Sequence, residues 1–346
     1  MADQGSSDNL LMKILGGVFA TIVAPILVAI GLKFTDKVVP VPDPAPNKAE
    51  AAGGPAALVA SSSPSGTTLE ESKARLPPAV RLFNGHSLRG FHTHLAPPPK
   101  GAPPHGKKRN PEHPISVRDG VIHFSGQLDG GISTLKEYEN YRLTVVYKWG
   151  ERTWPPRQNL ARMSGVLLHC QGEPGAINQR WMESVRCLVL EGQTGNLRLI
   201  DDGAGQRLSL TAEAEPAPPN GTEHPSIIGY QYKPGSPLTT FSQGGLVRLG
   251  RSANWANVKG FHESGGIEKP PGEWNTLECT CLGDAISVRL NGKLVNEART
   301  TDMQGRPTLH KGKIMLQSEK AEIFFREILL QPLPAPGTTH PTSTPS

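Results

Sequence analysis

The stretch Ser164-Gly-Val-Leu-Leu-His169-Cys170 and the stretch Trp181-Met-Glu-Ser-Val-Arg186-Cys-Leu-Val-Leu-Glu191 bring a base, a fixed cation and a carboxylate into two neighbouring segments. Side chains along a β-strand point alternately to opposite faces. If both stretches are strands, Val166, Leu168 and Cys170 share one face, and Gly165, Leu167 and His169 share the other. Val185, Cys187 and Val189 then take the core-like face of the second strand, leaving Arg186, Leu188 and Leu190 opposite. On that reading His169 and Arg186 form a floor for a ligand. An imidazole there could act as a general base, while a guanidinium stays charged and cannot. The plainer role for His169 is a hydrogen bond to a loop carbonyl. Glu191 ends its strand before Gly192-Gln-Thr-Gly195 and is either a second candidate base or a solvated turn carboxylate. Gln317, on the face of Met315, could bond a ligand hydroxyl. Trp154, Arg157 and Trp181 flank the same strands, where they could stack on or grip a ligand, or simply pack.

Period-two patterning marks the elements that must hold these groups. Tyr141, Leu143, Val145, Tyr147 and Trp149 alternate with Arg142, Thr144, Val146 and Lys148. Leu277, Cys279 and Cys281 alternate with Glu278 and Thr280, and Ile286, Val288 and Leu290 with Ser287 and Arg289. The last of these runs into Asn291-Gly292, a hairpin signal because both residues accept positive φ. Long amphipathic helix patterns are missing, and many short strands between Gly/Pro turns predict a β-sandwich. Stretches at about 92–114 and 201–271 read as long loops rich in Pro, Gly and His. The four cysteines, Cys170, Cys187, Cys279 and Cys281, fall on presumed core faces without metal-ligand spacing. A cross-strand Cys170–Cys187 disulfide is the alternative to four buried thiols.

The order of landmarks resembles the DUF1080, or 3-keto-disaccharide hydrolase, family. They begin at Leu82-Phe-Asn-Gly85, Leu88-Arg-Gly-Phe91 and Val117-Arg-Asp-Gly-Val121. They continue through Thr134 to Tyr141, Lys148-Trp-Gly-Glu151 and Trp154-Pro-Pro-Arg157. They end with Gly272-Glu-Trp-Asn-Thr276, Asn291-Gly-Lys293 and Leu316-Gln-Ser-Glu319 leading into Ala321 to Arg326. The resemblance covers roughly residues 80–332 and implies a concanavalin-like jelly roll. It also implies 3-keto-glycosides as substrates, cleaved by β-elimination across C1–C2 and then hydrated, for a net hydrolysis. That chemistry needs a base near C2, an electrophile for the enolate oxygen and a proton for the leaving oxygen at C1. No oxocarbenium ion forms, so the paired carboxylates of ordinary glycosidases need not appear. His169 and Glu191 match family positions and become the catalytic candidates. Trp154, Arg157, Trp181, Arg186 and Gln317 become the candidates for substrate binding.

The chain also departs from the family's pattern. Met163, Arg186, Leu188 and Asn196 stand where an Asp, a Glu, a Gln and a further Asp are expected. A divalent cation is the cofactor that the resemblance raises, and these replacements remove oxygen ligands it would use. Two functions follow. One is an enzyme on 3-keto-glycosides, with His169 or Glu191 as base and Arg186 stabilising the enolate. The other is a non-catalytic carbohydrate-binding or cell-envelope interaction domain on the same fold.

The 346 residues allow one sizeable domain with extensions. Ile14 to Leu32 is apolar apart from Thr21 and, at about 1.5 Å per residue, spans roughly 28 Å, enough for a transmembrane helix. The rival reading, a cleaved signal peptide, lacks a small-x-small site after Leu32. Residues 1–37 are thus read as a membrane anchor or signal sequence, 38–78 as a Pro/Ala/Ser-rich disordered linker, 79–333 as the domain and 334–346 as a disordered tail. The expected location is membrane-anchored, with the domain periplasmic or otherwise extracytoplasmic. The net charge of +5 is mild, and Lys107-Lys-Arg109 is its densest basic run. With no basic stripe interleaved with aromatics, nucleic acid is not an expected partner.

Overall fold

The computed structural model describes residues 76–97, 113–201, 208–216, 228–242, 245–249, 255–302 and 308–336. The expected membrane segment at 14–32, most of the linker, the tail from 337 and the 107–109 basic run lie outside these residues. Among the described residues no helix is long and apolar enough to cross a membrane.

The strands in chain order are β1 (Val80–Arg81), β2 (Phe91–Leu95), β3 (Ile115–Arg118), β4 (Val121–Phe124), β5 (Gly130–Thr134), β6 (Tyr138–Glu139), β7 (Tyr141–Thr153), β8 (Met163–Gln171), β9 (Glu183–Leu190) and β10 (Leu197–Ile200). They continue as β11 (Ser209–Pro216), β12 (Ile228–Tyr232), β13 (Leu238–Phe241), β14 (Gly245–Leu249), β15 (Asn275–Leu282), β16 (Ala285–Leu290), β17 (Lys293–Thr301), β18 (Lys311–Ser318) and β19 (Ala321–Pro332). One sheet runs β3-β4-β19-β7-β15-β16-β17-β11-β13, with β1 also on β19. The other runs β2-β5-β18-β8-β9-β10-β14-β12-β11. Among the described strands only the β12–β14 pair is parallel. Strand β11 belongs to both sheets, its first half on β17 and β13 and its end on β12.

The expected all-β sandwich is what forms, and the period-two readings explain its core. Leu143, Val145, Tyr147 and Trp149 of β7, Leu277, Cys279 and Cys281 of β15 and Ile286, Val288 and Leu290 of β16 are buried inward. They meet Val166 and Leu168 of β8, Val185, Cys187 and Val189 of β9, and Ile314 and Leu316 of β18. Asn291 and Gly292 make the β16–β17 turn with φ of 49° and 81°, the geometry that this dipeptide signals. The long-loop reading of 201–271 needs correction, because β11 to β14 lie within it. Leu210, Ala212 and Ala214 do alternate inward there. The small alanines and the surrounding Pro and Gly dilute that signal.

A second correction concerns β8. Between Leu168 and Gln171 the strand carries one residue more than β9, and it slips likewise against β18. His169 sits at this bulge with φ 55°. One extra residue inverts the alternation beyond it. The imidazole of His169 therefore turns into the core, edge-on to Tyr141 at 5.6 Å, and is fully buried. Cys170 turns the other way, to Leu167, Met182 and Met315 on the sheet's outer face. Cys170 and Cys187 thus lie on opposite faces of the sheet, and all four cysteines are free thiols.

His169 Nδ1 bonds the Leu309 carbonyl at 3.0 Å, and Nε2 has no hydrogen-bond partner. Burial lowers its pKa from 6.5 to about 4, the Leu309 bond opposing and the charge of His310 adding to the shift. Because the unfolded chain binds the proton first, His169 contributes stability above about pH 6.5 that is lost as the pH falls toward about 4, up to about 3 kcal/mol. Urea titrations of the wild type and His169→Asn, whose side chain tolerates positive φ, should diverge over that window, with the wild type losing more stability. Parallel pH profiles would show that His169 is not buried neutral.

Candidate functional site

The outer face of the second sheet gathers the polar side chains. In one row across it the register sets Ser133 opposite Met315, Met315 opposite Leu167, Leu167 opposite Arg186, and Arg186 opposite Arg198. In the next row Gln317 lies on the far side of Gly165 from Leu188. Gly165 has no side chain to separate its neighbours. A Cβ there would lie 2.6 Å from Gln317 Oε1 and 3.0 Å from Arg186 Cδ. Over this gap Arg186 Nη1 donates to Gln317 Oε1 at 3.3 Å and to Glu319 Oε2 at 3.2 Å, and Gln317 Nε2 donates to the same carboxylate oxygen.

Arg157 approaches the same cluster from the turn after β7, where Nη2 donates to the Ala161 carbonyl at 2.7 Å. Arg186 is 5% exposed and Gln317 is fully buried, whereas Arg157 and Glu319 are half-buried. Burial pushes the Arg186 pKa down; Glu319 opposes the shift, and the like charges of Arg198 and Arg157 add to it. Burial also lowers Arg157, again against the pull of Glu319. Nε of both arginines is buried without a hydrogen-bond partner.

Two apolar clusters wall this polar centre. On one side Ile177, Trp181 and Met182 pack on Leu167, Cys170 and Met315. The loop that carries them also bonds β2, with Gln179 O 3.0 Å from His94 Nε2. On the other side Trp255 and Phe261 cover Ala161, Met163, Leu188 and Leu190. Leu188, one of the family departures, is thus a packing residue of that wall.

Of the seven residues singled out in the sequence, Arg157, Arg186 and Gln317 come together. Trp154 stands beside them, its N–H on the Lys320 carbonyl and its indole Nε1 donating to Ser125 O, both at 2.8 Å. Trp181 is 8% exposed and packs within a wall, so its ring offers no stacking face. His169 is on the core side, for the reason given above. Glu191 is neither solvated nor open. Its carboxylate accepts from Arg162 Nη1 at 2.5 Å, Arg162 N–H at 3.0 Å and Gly260 N–H at 3.2 Å, and its carbonyl accepts from Trp255 Nε1 at 2.9 Å. It anchors the 255–261 segment. Glu268 does similar work, accepting from Tyr147 Oη, Thr194 Oγ1 and Gly192 N–H.

Sequence reasoning missed two members of the cluster. Glu319 follows Gln317 by two residues and so shares its side, and Arg198 alternates with Leu197 and Leu199 in the same manner. The donor set does not fit a divalent cation. Its one carboxylate is already engaged by a guanidinium and an amide, and no group of three metal-ligating side chains occurs among the described residues.

The chain is similar to several solved structures. One is a protein from Parabacteroides distasonis assigned as a glycosyl hydrolase, with 21% identity, 74% of this chain and all of that one covered, and a TM-score of 0.38. Another is carbohydrate binding module CBM66 from Bacillus subtilis, at 9% identity, 70% and 95% coverage and a TM-score of 0.35. A third is the Bacillus licheniformis β-glucanase, at 9% identity, 72% and 96% coverage and a TM-score of 0.34. No curated protein matches the sequence. Residues 78–331, which span every described strand from β1 to β18 and nearly all of β19, match a family profile, and the chain belongs to that family, the 3-keto-alpha-glucoside-1,2-lyase-like domain.

Proposed function

We propose that this domain cleaves 3-keto-glycosides on the outer face of its second sheet, by β-elimination followed by hydration, on a concanavalin-like jelly roll. The observation that carries this reading is the Arg186–Gln317–Glu319 cluster, bonded across Gly165 in a chain of this family. Glu319 is the carboxylate in the cluster and takes the role of base at C2, and the proton it gains there goes to the oxygen that leaves C1. Arg186 and Arg157 take the enolate oxygen, where buried guanidinium donors act more strongly than they would in water. Gln317 orients the sugar through hydroxyl bonds. His169 and Glu191 are given supporting roles, since one faces the core and the other is saturated by Arg162 and Gly260. On the same reading the 14–32 segment anchors the domain to a membrane, with the domain outside the cytoplasm.

One observation favours the second reading, a carbohydrate-binding domain without turnover. Glu319 already accepts two hydrogen bonds, which weakens its readiness to take a proton.

The deciding experiment incubates the protein with 3-keto-disaccharides and 3-keto-glucosides, with and without divalent cations, and follows the released 3-keto sugar or glycal by mass spectrometry. Release is the expected result; sugar affinity without any product would favour the binding domain. Glu319→Gln should lower turnover about 100-fold or more in protein that still folds, at some cost in urea stability because buried Arg186 loses its carboxylate partner. Glu191→Gln should instead cost roughly 3–5 kcal/mol of stability in urea, because it leaves buried Arg162 uncompensated. Turnover lost in Glu191→Gln at full stability would reverse the two roles. Gly165→Ala should part Arg186 from Gln317 and reduce kcat/KM in a folded protein, and an unaffected kcat/KM would detach that contact from the reaction.

A further inference from the structure

The charges of the cluster do not balance. Arg157, Arg186 and Arg198 face one carboxylate, Glu319, and that carboxylate is bonded to Arg186. Arg198 has no ion pair among the described residues, and the Arg157 guanidinium donates there to a neutral carbonyl, that of Ala161. The excess of two positive charges sits between two apolar walls, where the repulsion between like charges is poorly screened. The Nε–H groups of Arg157 and Arg186, buried and without partners, are donors of the kind that a two-oxygen anion engages through the side of a guanidinium. A neutral sugar could bond these donors through its hydroxyls, yet it would leave the charge excess untouched.

We propose that the cluster recognises an oxyanion on the sugar, so that the natural ligand is an acidic saccharide: one bearing a carboxylate, as in a uronic acid, or an ester sulfate. This inference rests on the carbohydrate reading above and sharpens its substrate class. Arg198 and Arg157 supply the long-range attraction, and Arg186 supplies the edge opposite its bond to Glu319.

The test is calorimetric titration of the full-length protein with a neutral glucosyl-glucose, the same disaccharide with its terminal sugar oxidised to glucuronate, and its 6-O-sulfate. At least one acidic sugar should bind tenfold or more tighter than the neutral one, with the preference shrinking as salt rises. The tighter of the two identifies the oxyanion. Since Arg186→Gln removes the ion-pair partner of half-buried Glu319 and could fail to fold, the discriminating variant is Arg198→Gln, which breaks no ion pair among the described residues. It should lower the preference at least threefold without changing affinity for the neutral sugar. Equal affinity for all three sugars would overturn the inference and leave the carbohydrate reading standing, as would a preference unchanged in both Arg198→Gln and Arg157→Gln. No affinity for any of them would overturn the inference, and the release assay with 3-keto-glycosides then decides the carbohydrate reading separately.

Discussion

The middle strands of the second sheet, β5, β18, β8 and β9, are buried on both faces over most of their length, and the character of the candidate site follows from that constraint. The sheet's inner face is half of the sandwich core, while its outer face is covered at either side by loop residues around Trp181 and Trp255. A tryptophan buries about 150–250 Å², worth roughly 4–6 kcal/mol at about 25 cal/mol per Å² as an upper bound. Desolvating a guanidinium costs several kcal/mol after relaxation. The two walls can therefore hold Arg186 out of water. Without them the same arginine would be an ordinary exposed cation on a sheet, with little leverage on a ligand.

Loops do not stay over a sheet by apolar contact alone, since their backbone N–H groups also need partners. Glu191 and Glu268 supply them. Each is a buried carboxylate that accepts backbone N–H groups at the end of β9 or from the segment above it, and each is also held by a side chain of the scaffold. Glu191, a catalytic candidate in the sequence, is thus engaged in building the enclosure together with Glu268. The acid left beside the arginines is Glu319, on the turn between β18 and β19.

How far the sequence foretold this depends on the reach of each interaction. The inner strands β7, β15 and β16 were legible because a period of two needs only local residues and the certainty that one face is buried. The bulge in β8 was not, because nothing within Leu167-Leu-His-Cys170 marks an extra residue. It exists only relative to the register of β9 and β18. That one slip exchanged the faces of His169 and Cys170, and so moved a candidate base to the core side and parted the two cysteines of the alternative disulfide. Arg186, Gln317 and Arg157 could be chosen as candidates from the sequence, and the structure brings these three together. The saturation of Glu191 could not, since its partners Arg162 and Gly260 are 29 and 69 residues away in the chain.

The pairing of Arg186 with Arg198 separates a structural from a functional account of this face. Like charges directly opposite on neighbouring strands destabilise a sheet, and here one of the pair is also desolvated. If stability alone had shaped this surface, the walls around Trp181 and Trp255 could have met over apolar side chains, since replacing a buried ion pair by well-packed apolar groups is often neutral or favourable. Instead a polar seam persists between two apolar clusters, and a glycine keeps it continuous where any side chain would interrupt it. Glu319 compensates Arg186 alone, and a local rule broken with Arg198 left unpaired among the described residues is what a surface shaped by a ligand would show.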